Sequence, residues 1–315
     1  MKLEGALVSF DIWDDPLASG GREARELFAG RFRIVPGGAD LPVLRLMIAA
    51  YSNLPYENLT KIIKKFTARS PDERLRGPVE VVTGFLERHT GGTCFSLTYC
   101  LGSMLSSAGF RCYPVMADMK RPNIHCALIV EMAGKRFLVD PGYLVGEPVE
   151  LSSVPVQVAT TFGTVELRPR RNESYDLFTL EGGWDELSRA GWSERSPVAA
   201  PRTGERKWRY TVRTTSVSHN EFMRHWQDSF ALPMMNNLLL TRLTSEGHLY
   251  VKNHHLRVRS RAGKANENIR SGLEERIAAE FGIPAAVTAE ARDHIERLRR
   301  SWRRDGKKMQ GVITE

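Results

Sequence analysis

Cysteine is scarce in this chain: four in 315 residues, with no C-x-x-C pair. That argues against both a disulfide scaffold and a zinc site. No stretch approaches the roughly 18 consecutive apolar residues of a membrane helix. The opening MKLEGALVSFDIWDD has no continuous apolar run before Asp11, Asp14 and Asp15, so it does not read as a secretory signal. The eight histidines show no metal-ligand spacing. His254 and His255, adjacent on a strand, point to opposite faces. No internal repeat of roughly 20–50 residues is present. The expectation is a reduced, cytoplasmic protein with no metal and no membrane partner.

What remains is ordinary for a globular chain: 42% hydrophobic and 26% charged residues, enough to bury a core without staples. The length predicts two or three packed units. The net charge of +8 is uneven, because Lys252 to Lys308 carries 15 Lys and Arg against 8 Asp and Glu, a surplus of +7. Such a surface suits phosphate-bearing partners, whether a nucleotide-like cofactor, an acidic carrier protein or nucleic acid, or it is simply a solvated helix face. Nucleic acid is the weakest of these. Trp302 is the one aromatic beside the last Arg cluster, and no nucleic-acid motif accompanies it.

Residues 22–70 read as helical, with Leu44, Met47, Ile48 and Tyr51 on one stripe and breaks at Pro36-Gly37-Gly38 and Leu54-Pro55. Pro78 to Arg88 predicts another helix. From Cys94 to Ala108, Leu97, Leu101, Met104, Leu105 and Ala108 share a face, and Gly109 sits where a C-cap glycine belongs. The period then changes. CYPVMA, IHCALIVEM and KRFLVD predict short strands, with Ala133-Gly134 as a tight turn between the last two. Strand-like segments continue over 151–180. Residues 181–206, rich in Gly, Ser, Arg and Pro, read as a long loop. Strands resume at WRYTVRTT. HNEFMRHWQDSF predicts a helix, and LLLTRLT, HLYVKN and HLRVRS a closing sheet. Two helices end the chain, striped by Leu273, Ile277, Phe281 and then by Ile295, Leu298, Trp302.

One constellation carries chemistry. Cys94 follows Gly91-Gly92-Thr93 at a helix start, where unpaired N–H groups and the helix dipole favour thiolate. The glycines admit close backbone approach, so a neighbouring N–H can serve an oxyanion. If Ala133-Gly134 is a two-residue turn, Met132 pairs with Lys135 and Asp140 falls opposite Ala127, diagonal to His125 on the same side. The carboxylate can then fix the imidazole tautomer and leave the other nitrogen for the thiolate. Blander readings stand beside this one: His125 as a structural histidine, and Asp140 in Asp-Pro-Gly as a turn starter. Cys100, Cys112 and Cys126 read as small buried hydrophobes.

The ordered set Gly91-Gly92-Thr93-Cys94-Phe95, Asn123-Ile124-His125 and Phe137-Leu138-Val139-Asp140-Pro141-Gly142-Tyr143 resembles the arylamine N-acetyltransferase family. Leu54-Pro55-Tyr56-Glu57-Asn58-Leu59 is similar to an upstream segment of that family. The resemblance covers about residues 20–285. It implies an α+β fold: an N-terminal helical bundle (1–90), a central antiparallel β-barrel (91–212) with the loop near 181–206, and an α/β lid (213–284). A basic helical extension (285–315) follows.

The resemblance also implies ping-pong transfer from an acyl-CoA thioester, acetyl-CoA by default, through Cys94 to an arylamine, hydrazine or other amine, with His125 as base and Asp140 as orienter. No metal takes part. Two other readings stay open: an amide synthase fed by an acyl carrier protein, and a binding protein that keeps the fold with weak activity. The departures are Thr90 where the family has Arg, Ser96 and Thr98 after Cys-Phe where it favours longer polar residues, and Pro141 after Asp140. They alter the polar surroundings of the site while leaving Cys94, His125 and Asp140 intact.

Overall fold

The computed structural model describes residues 11–35, 37–160, 163–180, 206–260 and 263–304. The loop read over 181–206 lies outside the described residues except for Arg206, which opens a strand.

Five helices come first: α1 (Gly21–Phe32), α2 (Leu41–Tyr51), α3 (Leu59–Thr67), α4 (Pro78–Arg88) and α5 (Cys94–Ser107). Their starts follow local chemistry. Asp40 caps α2 by accepting from the Val43 N–H at 2.9 Å, and Pro78 opens α4 at a position whose N–H has no helical partner. All twelve residues from Cys94 to Leu105 are buried. Buried on every side over that stretch, α5 is the central rod, packed by α1 and α4 on one side and by the barrel on the other. Phe28, Leu44, Ile48, Val82, Leu97, Leu101 and Met104 fill the space between them.

An eight-stranded antiparallel sheet follows, in the order β5-β4-β3-β2-β9-β8-β7-β6, and curls into a nearly closed barrel as β5 and β6 approach one another. Its members are β2 (Arg111–Asp118), β3 (His125–Met132), β4 (Lys135–Val139), β5 (Val149–Glu150), β6 (Val156–Thr160), β7 (Gly163–Pro169), β8 (Ser174–Leu180) and β9 (Arg206–Arg213). Near-closure leaves little exposed edge. The turn expected at Ala133-Gly134 is there, with φ of 49° and 73°, and Met132 pairs with Lys135.

The second sheet has the order β1-β10-β11-β12-β13. It joins β10 (Leu239–Thr244), β11 (Gly247–Lys252), β12 (His255–Ser260) and β13 (Gly263–Asn268) to an unforeseen strand from the helical region, β1 (Tyr56–Glu57). The sheet is covered on one face by α7 (Leu273–Phe281) and α8 (Ala285–Arg304), with Leu240, Leu249, Val251, Leu256, Ile277, Phe281 and Ile295 in one cluster. Leu59 and Ile62 of α3 belong to that cluster too, so α3 packs with the C-terminal elements. Helix α6 (His219–Asp228) lies over the start of α5, with Phe222 and Trp226 against Phe95 and Tyr99. Among the described residues, no helix is long and apolar enough to cross a membrane.

Candidate active site

The loop before α5 is stitched down from two sides. Gly91 lies so close to the preceding segment that a Cβ there would sit 1.8 Å from the Pro55 carbonyl oxygen. The Glu57 N–H donates to the Gly92 carbonyl at 2.9 Å. Only glycine lets these backbones meet. Thr93 then takes an extended conformation and α5 starts at Cys94. Thr93 supplies no side-chain cap, so the first-turn N–H groups of α5 stay available beside the sulfur.

Behind that loop sits Arg76, 4% exposed, a residue the sequence reading passed over. Its Nη1 donates to the Gly91 carbonyl at 2.6 Å and to Thr60 Oγ1 at 3.0 Å, and lies 3.8 Å from Glu57 Oε1. Its Nη2 donates to the Glu80 carbonyl at 3.1 Å. A guanidinium thus stands behind the glycines although the chain has Thr90 directly before them. The Thr90 hydroxyl is buried without a hydrogen-bond partner, and Ser96 and Thr98 donate to the carbonyls of Thr93 and Cys126. Arg76, from the loop before α4, borders Thr90: a Cβ at Gly84 would lie 2.8 Å from both side chains. Asn58 ties the same segment to the second sheet. Its amide donates to the Met234 and Asn237 carbonyls at 3.0 and 2.8 Å, and its Oδ1 accepts from the Leu239 N–H at 2.8 Å.

The structure brings Cys94, His125 and Asp140 together from α5, the start of β3 and the end of β4. All three are buried, at 6%, 3% and 1% exposure. His125 Nε2 and Asp140 Oδ2 are 2.7 Å apart. The other carboxylate oxygen accepts from the Tyr143 N–H at 2.8 Å, so Asp140 holds the imidazole and its own turn at once. With Nε2 occupied, Nδ1 is the nitrogen left for the thiol, and the two side chains are within hydrogen-bond reach. Gly142 explains how they fit. A Cβ there would be 2.6 Å from the Cys94 Cβ and 3.1 Å from His125 Cε1. Tyr210 closes the site, its ring centroid 4.9 Å from that of His125 and its hydroxyl turned toward Asp140.

The electrostatics separate Cys94 from the other three thiols. Its pKa is held well below the usual thiol value, first by a hydrogen bond from the Cys126 thiol, against desolvation, and then by His125 and the nearby Lys61 ammonium. Burial pushes Cys100 and Cys112 up to about 12. Burial opposes protonation of His125, but the Asp140 carboxylate and Cys94 together raise it to about 10. Both shifts favour a thiolate beside an imidazolium.

Two neighbours were missing from the sequence reading. Cys126 is fully buried, as expected of a small hydrophobe, but its thiol lies against that of Cys94. Lys61 of α3 is 5% exposed, donates to Ser229 Oγ at 2.5 Å and lies 4.6 Å from the Phe230 ring centroid. Burial lowers its pKa to about 8. Neither carries a sequence signal, since both depend on contacts made across the fold. Among the described residues no group of three His, Cys, Asp or Glu is arranged to hold a metal ion.

Fold and site together describe a barrel and helical rod that bury a cysteine beside a carboxylate-oriented histidine, the class of arrangement used for acyl transfer. A model of an N-acetyltransferase family matches residues 40–286, most of the chain, and the protein belongs to that family. No curated protein matches at the sequence level. Similar solved structures include the arylamine N-acetyltransferase of Mycobacterium abscessus (TM-score 0.70, 17% identity, 88% of this chain and 98% of that one). The Mycobacterium marinum enzyme in complex with CoA has TM-score 0.68 and 16% identity, over 86% and 98% of the two chains. The Bacillus cereus NAT3 enzyme, described as having a Cys-His-Glu triad, has TM-score 0.62 and 17% identity, over 83% and 99%. These structures share the fold.

Proposed function

We propose that the protein transfers an acetyl group from acetyl-CoA to an arylamine or hydrazine through a thioester on Cys94. The observation that carries the reading is the buried Cys94–His125–Asp140 set, placed at the start of α5 within the region matched by the family. CoA as the donor's carrier is supported by the M. marinum complex.

In the first half-reaction the Cys94 thiolate attacks the thioester carbonyl. The tetrahedral oxyanion forms where the uncapped first-turn N–H groups of α5 are available. Collapse expels CoA as thiolate, which takes the proton held by His125. In the second half-reaction the neutral imidazole accepts a proton from the incoming amine as its nitrogen attacks. Collapse returns Cys94 to thiolate, releases the N-acetyl product and leaves the imidazolium in place. Asp140 fixes the ring throughout.

The test is intact mass and peptide mapping after incubation with acetyl-CoA and no acceptor. One acetyl group on Cys94, discharged by an added arylamine, is the expected result. Labelling elsewhere, or a Cys94→Ala variant of unchanged activity, would overturn the reading.

A further inference from the structure

The second sheet presents a basic face toward the barrel. Residues opposite one another share a face, as do alternate residues along a strand. In the register of β10, β11 and β12, Leu243 faces His248 and His248 faces Arg259, while Thr241 faces Tyr250 and Tyr250 faces Arg257. Tyr56 of β1 pairs with Thr241. The direction of this face is fixed by Leu243, which packs into the barrel cluster with Leu144 and Tyr210, while Leu240 and Leu249 pack the other way under α7 and α8. Across from the sheet, β9 contributes Arg209 next to Tyr210, its Nε donating to Thr179 Oγ1 at 2.7 Å.

Arg257 and Arg259 lie on this face, and Arg209 of the barrel lies within electrostatic reach of the same groups. All three act on the half-buried His248, whose imidazole is held at about 4 by burial first and then by Arg259, Arg257 and Arg209. Arg209 and Arg259 also act on Tyr143, whose backbone N–H holds Asp140. The Arg257 guanidinium is 5.4 Å from the Tyr250 ring centroid, and Tyr56 lies within electrostatic reach of both Tyr250 and Cys94. Tyr56, which also packs against the cluster that contains Cys94, links this face to the reacting sulfur. Among the described residues, none of the three arginines has a carboxylate within ion-pair distance, although the chain pairs many of its other arginines. The three are half-buried, so their charge is less screened than on an open face.

We infer that Arg209 and Arg259, backed by Arg257, form an anion-binding subsite that holds a phosphate or carboxylate group of a substrate whose reacting end reaches Cys94. Guanidinium forks suit either group. Two substrates can supply it, the phosphates of the CoA donor or a carboxylate on the amine acceptor. The place of Cys94 at the other end rests on the acyl-transfer reading, whereas anion binding at the cluster does not.

The experiment is calorimetric titration of the full chain with CoA and pantetheine, and with 4-aminobenzoate and aniline. The titrations are repeated on Arg209→Gln/Arg259→Gln. Loss of a charge-assisted contact at each arginine should weaken the anionic ligand by about tenfold or more, with its neutral counterpart within about twofold of wild type. Loss confined to CoA assigns the cluster to donor phosphate, and loss confined to 4-aminobenzoate to an acceptor carboxylate. Arg259→Lys, which keeps the charge, should retain most of the affinity. Neither substitution removes an ion-pair partner, and an unchanged melting temperature checks that the fold is intact. If wild type prefers neither anionic ligand, or the double variant binds both as wild type does, the subsite is refuted. Anion binding with no acylation of Cys94 would refute the proposed reaction and leave the subsite standing.

Discussion

Removing Arg76 tests whether a guanidinium behind the nucleophile loop is required, and whether it matters from which position it comes. Glu57 is fully buried, with Arg76 Nη1 3.8 Å from its Oε1. The same nitrogen holds the Gly91 carbonyl at 2.6 Å. Arg76→Met keeps much of the side-chain volume but leaves the carboxylate uncompensated and a loop carbonyl unpaired. Breaking a buried pair from one side costs about 3–5 kcal/mol, a large fraction of the roughly 5–15 kcal/mol that holds a domain together. Urea unfolding should show that loss, and the iodoacetamide rate at Cys94 should fall as the glycine loop loosens. Adding Glu57→Gln should recover part of the stability, because the stranded charge is gone. The sharper arm uses Thr90. A Cβ at Gly84 would lie 2.8 Å from both Arg76 Nη2 and Thr90 Oγ1, so the two side chains border one space. Thr90→Arg in the wild-type background should destabilise by crowding two cations. In the Arg76→Met background it should restore stability and the Cys94 rate. Arg76→Met costing less than about 1 kcal/mol, or Thr90→Arg acting with the same sign in both backgrounds, would refute the reasoning.

Cys94 should be alkylated first of the four cysteines, with Cys100 and Cys112 inert near neutral pH because burial holds them at about 12; peptide mapping at short times reads this directly. The acylation rate should already be on its plateau well below the usual thiol pKa. It should fall toward pH 10 as the raised His125 pKa is crossed and the imidazolium is lost. Asp140→Asn should move that alkaline limb to lower pH. Gly142→Ala would place a Cβ 2.6 Å from the Cys94 Cβ and 2.8 Å from its Cα. The overpacking should cost about 1–3 kcal/mol, and displacement of the sulfur about 100-fold in single-turnover rate. Burial lowers the Lys61 pKa to about 8 in the folded chain from the usual lysine value of 10.5. The unfolded chain therefore binds the extra proton between those values, and wild-type stability should rise with pH across that window. Lys61→Met should abolish the rise and shift the Cys94 alkylation profile to higher pH.

What could be read from the sequence is what local rules determine. The Ala133-Gly134 turn sets the parity of β3 against β4, and parity alone brings Asp140 to the same side as His125. The apolar residues of α5 fall on a helical period, so its length and its start at Cys94 were legible. Strand β13 was not, because GKANEN is exposed throughout and is held by its backbone ladder to β12 rather than by an apolar face. Nor was β1, two residues inside a helical stretch, whose partner is more than 180 positions away.

The same division runs through the site. A nucleophile, a base and an orienter announce themselves by residue type next to a turn or a helix start. Cys126 and Lys61, which tune the thiol, and Arg76, which holds its loop, are ordinary residues until the fold brings them into place. That tuning bears on the departures at Thr90, Ser96 and Thr98. With short residues at these positions, the depressed thiol pKa draws its support from other elements. Here it comes from Cys126 and His125 of β3 and from Lys61 of α3. A substitution of Cys126 or Lys61, far from Cys94 in sequence, should therefore register in the pH profile of Cys94.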